Sequence, residues 1–194
     1  KEIYDAVDDS VHPRTLFFRE DIPEIIKNHE KDIEVLKRNI ALAIENGIPL
    51  PPYDPSFDLG DTGYVHLKLR LYSNYAREYL DRNLIALALG WALLGDKEAG
   101  ECGKQSLLAI ARWDHTIDGL AINGKSSDEA GLSVTRTIAI AYDLLFDLLT
   151  EEERKAALIL SKTVALGKEL AKTEKDANKV VEAMKKNIET EPMA

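Results

Sequence analysis

The chain has 194 residues, 45% of them hydrophobic and 30% charged, a composition that fits one folded domain and excludes disorder along its whole length. Its 34 acidic against 25 basic side chains give a formal charge of −9, the reverse of what a nucleic-acid binder carries. The single cysteine, Cys102, excludes an internal disulfide framework and a cysteine zinc cluster, and no apolar run reaches the ~18 residues of a membrane span.

Nowhere does period-two alternation run long enough for a convincing strand, whereas helical spacing recurs almost throughout. Residues 1–20 read as an extended N-terminal segment, without an apolar signal-peptide core after Lys1. The first helix is predicted over Ile22–Glu45, where Ile22, Ile25, Ile33, Leu36, Ile40 and Ile44 recur at threes and fours. Asp21 is its expected cap and Pro23 suits its first turn, while Gly47 and the prolines after it end the helix. Residues 47–63 hold four of the seven prolines and predict a long irregular connection.

A second helical region spans about Val65–Leu94, with a break expected near Leu80–Asp81. Its part from Leu84 to Leu94 is apolar nearly all round, so it is expected to be buried on most sides. Gly95 stops it, and Asp96 opens a helix over about Lys97–Trp113, with Leu107, Leu108, Ile110 and Ala111 on its buried face. A loop from His115 to Lys125 follows. Ser126-Ser127-Asp128-Glu129 has the pattern of a capping box and starts a helix to about Leu149, whose expected core side includes Ile138, Ala139, Tyr142, Leu145 and Phe146. Thr150 to Glu153 is a second capping box, starting a helix to about Ala171. The remainder, 172–194, is a charged helix or tail. Hairpin after hairpin of helices over 21–171 predicts an all-α array, such as a bundle, solenoid or toroid.

Four segments, in this order, resemble the heparinase II/III-like polysaccharide lyases. His12-Pro13-Arg14-Thr15-Leu16-Phe17-Phe18 followed by Asp21-Ile22-Pro23 resembles that family's opening motif. Ala86-Leu87-Ala88-Leu89 with Leu94-Gly95-Asp96-Lys97 resembles its apolar hairpin, and Ile110-Ala111-Arg112-Trp113 the helix end before a substrate-side loop. Ala141-Tyr142-Asp143-Leu144-Leu145-Phe146-Asp147 running on to Thr150-Glu151-Glu152-Glu153-Arg154 resembles a fourth motif. The resemblance covers about residues 12–165. It implies helical hairpins of an incomplete (α/α) toroid, continued in the family by further toroid helices and an antiparallel β-sandwich. It also implies a periplasmic or secreted protein acting on an anionic, uronate-containing polysaccharide or oligosaccharide by β-elimination.

In that chemistry a base removes the C5 proton, a neighbouring group neutralises the uronate carboxylate, and an acid protonates the leaving oxygen. Tyr and His suit the proton transfers because their proton affinity can be tuned, and neutralisation stabilises the developing enolate. The family's Asn-His motif is not found after the last strong helix: Asn178 and Asn187 precede Lys and Ile, and the last histidine is His115. No catalytic residue is therefore assigned, and the chain is expected to stop before the catalytic centre and to be inactive alone. No cofactor is implied, and no carboxylate pair with supporting histidines suggests a metal.

Substrate-binding candidates come from two places. In the loop, Asn123 and Lys125 suit sugar hydroxyls or a carboxylate, His115 lies beside them, and Trp113 suits stacking on a sugar face. The bland alternative is a solvated loop with Trp113 in the core. Tyr64 and His66 open the helix after the long connection and can face the same cleft, against an alternative of packing and surface charge. His12 is expected to fix the N-terminal turn, His29 to be exposed, and Tyr142 to be a core residue with a bonded hydroxyl. The charge of −9 opposes polyuronate binding unless basic residues cluster locally. Other readings are a non-enzymatic helical scaffold or carbohydrate-binding module, and an α/α-toroid glycoside hydrolase, which needs two carboxylates across a cleft.

Overall fold

The computed structural model describes residues 11–49, 76–112, 121–122, 125–126 and 128–157, with the single helical positions Lys179, Glu182 and Lys186. The described residues are mostly helical, in agreement with an all-α chain. The helices are α1 (Ile22–Asn28), α2 (Glu30–Asn46), α3 (Ile85–Leu94), α4 (Lys97–Ala111), α5 (Asp128–Leu145) and α6 (151–157), with a π-helix at Ala76–Leu84 before α3. Short 3₁₀ turns sit at Arg19–Asp21 and Phe146–Leu148. None of the described helices is long and apolar enough to cross a membrane.

The apolar segment forms the centre. Helix α3 packs against α2, α4, α5 and the π-helix. With four neighbours none of its residues is fully exposed, which is why its sequence is apolar all round. Its Ala86, Leu87, Ala88 and Gly90 are buried; Leu87 joins Ile40 and Ala43 of α2 and Ala99 of α4 in one core cluster. Leu107 and Ile110 of α4 are fully enclosed, as their spacing predicts, while Leu108 and Ala111 are half-buried at its edge.

Two glycines set how close the helices come. A Cβ on Gly90 would lie 2.7 Å from Ile40 Cδ1 and 2.9 Å from Ala99 Cβ, so at this point α3 lies close against α4 and takes the tip of Ile40 from α2. A Cβ on Gly100 would meet Leu148 Cδ1 at 2.8 Å and Trp91 Cε3 at 3.0 Å.

The helix ends follow local chemistry. Gly95 closes α3 in the left-handed region (φ 65°), its N–H donating to the Trp91 carbonyl and the next N–H, of Asp96, to Gly90. The Asp96 carboxylate then accepts from the N–H groups of Glu98 and Ala99, each at 3.1 Å, capping α4. Thr150 and Glu153 form the predicted reciprocal box at the start of α6: Thr150 N–H donates to Glu153 Oε2 at 2.8 Å and Glu153 N–H to Thr150 Oγ1 at 3.3 Å. Gly47 ends α2 with φ 71°.

Four local expectations change. The first helix is divided at His29, which leaves helical geometry (φ −124°, ψ 36°) next to Asn28, a pair of low helix propensity. Asp21 does not cap α1; its carboxylate turns back to the Phe18 N–H at 2.9 Å and closes the preceding 3₁₀ turn. The interruption expected at Leu80–Asp81 falls instead at Leu84–Ile85, where π-helical winding gives way to α-helical. Ala139 faces outward, because α5 buries the stripe through Ile138, Ala141, Leu144 and Leu145. Within the predicted loop, Ala121–Ile122 pairs antiparallel with Lys125–Ser126, a two-residue ladder.

Candidate functional site

The most highly connected polar cluster joins the two ends of the described fold. His12 and Asp143 are both buried, at 6% and 4% exposure, and His12 Nδ1 lies 2.5 Å from Asp143 Oδ1. The other carboxylate oxygen accepts the backbone N–H of Arg14 at 2.9 Å and of Thr15 at 2.8 Å. A carboxylate on α5 therefore pins an extended segment 131 residues away, because an extended backbone offers successive N–H groups that no helix satisfies. The segment turns at a cis His12–Pro13 peptide bond.

Burial alone pushes the Asp143 carboxyl upward, but the N–H groups of Arg14 and Thr15 and the side-chain hydrogen bonds from His12 and Thr15 outweigh it. Asp143 is held below the usual aspartate range, ionised at neutral pH.

Aromatic and basic groups complete the cluster. The His12 ring stacks on Phe146 with centroids 3.7 Å apart and an 18° interplanar angle, and Tyr142 stands edge-on to both. The Arg154 guanidinium lies 3.7 Å from the Phe146 centroid, and its Nη2 donates to the Phe146 carbonyl at 3.0 Å. Arg19 donates from Nε to the His12 carbonyl at 2.7 Å and pairs with Asp147 through Nη2. Spacing of three and four along α5 and its 3₁₀ continuation puts Tyr142, Asp143, Phe146 and Asp147 toward the strap.

An imidazole oriented by a carboxylate has the form of a proton-transfer pair. Here both members are buried and the carboxylate is filled by backbone donors, so the arrangement acts as a clasp. His12 thus does fix the N-terminal turn. Tyr142 is half-buried; burial raises its phenol, and the nearby charges of Arg154 and Arg14 act in the opposite sense. Cys102 is a poor nucleophile, its thiol pushed up by burial first and then by Glu98, Glu101 and Asp96. Among the described residues no three His, Cys, Asp or Glu side chains are grouped to hold a metal.

A smaller cluster ties the π-helix to α5. Asp81 accepts from Arg136 Nη2 at 2.7 Å and from the buried Thr137 hydroxyl. Tyr79 donates to the Gly47 carbonyl at the end of α2.

Of the residues that the sequence nominates for sugar binding, Tyr64, His66, Trp113, His115 and Asn123 lie outside the described residues. Lys125 sits in the second strand of the short ladder. His29 is exposed and pairs with Asp32 at 3.1 Å. No local pattern in the sequence joins His12 to Asp143 or Arg154 to Phe146, because each pair is made by packing between segments. Comparison with protein families, with curated proteins and with solved structures finds no match to this chain.

Proposed function

We propose that this chain is the α-toroid portion of a polysaccharide lyase that acts by β-elimination on a uronate-containing glycan. It forms one wall of the substrate cleft and supports catalytic groups held by further toroid helices and a β-sandwich. The observation that supports this reading best is the clasp. Two of the motifs that resemble the lyase family, His12–Thr15 and Tyr142–Arg154, are far apart in sequence yet meet through His12–Asp143, His12–Phe146 and Arg154–Phe146. The packing of α3 against α2, α4 and α5 is compatible with the helical hairpins of a toroid.

Trp113, His115, Asn123, Lys125, Tyr64 and His66 are the proposed sugar contacts. Trp113 offers a stacking face, Lys125 a charge for a carboxylate, and the others hydrogen bonds. Calorimetric titration with an oligouronate, and with a neutral oligosaccharide of the same length, tests this. Saturable binding of the acidic sugar alone is expected, weakened at least several-fold by Trp113→Ala. Absence of binding, or equal binding of the neutral sugar, contradicts the proposal. Release of unsaturated uronate by this chain alone from alginate, heparin, heparan or chondroitin would contradict the placement of the proton-transfer groups elsewhere.

A further inference from the structure

We draw no further inference here: the strongest candidate, the outer face of α2 on which the exposed Val35 and Leu42 share one stripe, carries none because nothing in the structure shows what covers it.

Discussion

At the scale of residues, Asp143 carries the most. It is buried, ionised and bonded through both carboxylate oxygens, to the His12 ring and to the N–H groups of Arg14 and Thr15. Asp143→Asn keeps the shape but removes the negative charge that the surrounding donors satisfy, and is expected to cost about 1–3 kcal/mol in urea unfolding, the range for hydrogen bonds to a buried charged group. Folding lowers the proton affinity of this carboxyl. Its contribution is therefore complete above the titration of the unfolded side chain, at about pH 4, and is lost as pH falls through the lower folded value. Unfolding measured across the acid range should show this loss in the native chain and a flatter profile in Asp143→Asn. His12→Ala should free the strap. Limited trypsin digestion is expected to cut at Arg14 or Arg19 in that variant well before the native chain, and equal cutting rates would contradict the clasp. Neither residue declares this role in the sequence. An Asp inside an amphipathic helix and a His beside a proline are each ordinary, and only their distance in space makes them a pair.

At the scale of elements, the sequence was informative wherever the cause was local. The Thr150–Glu153 box, the Asp96 cap and the Gly95 stop depend on a few adjacent residues, and all three are found as their patterns predict. Asp21 failed as a cap because a second acceptor role, toward Phe18, competed for the same carboxylate. Ala139 was misplaced because alanine suits either face, and the neighbours that fix the phase of α5 are distant in sequence. The glycine contacts lead to a sharper expectation. Gly90→Ala gains helix propensity, about 1 kcal/mol, but drives a methyl into Ile40 and Ala99. Overpacking of this kind costs about 1–3 kcal/mol, so a net loss is expected in thermal unfolding. Asp96→Ala, by contrast, should lose about 1 kcal/mol without altering the core.

At the scale of the molecule, all-α class and the central position of α3 follow from periodicity and from an apolar helix with nowhere polar to face. The union of the N-terminal strap with α5 and α6 does not, since no local pattern encodes a contact across 131 residues. The sugar-binding candidates rest on residue type and loop position, and the contact of Arg154 with Phe146 escapes notice because an arginine after an acidic run reads as a paired surface charge. The net charge of −9 now has a specific consequence. On the proposed reading, an anionic glycan binds against a repulsive background, so added salt, which screens that repulsion as well as any local attraction, shifts affinity less than for a basic protein. The most direct measurement is a two-dimensional NMR titration of this chain with an oligouronate. The account predicts a saturable shift of the Trp113 indole N–H with the acidic sugar and none with a neutral one. An unmoved Trp113 resonance up to millimolar oligouronate would contradict it.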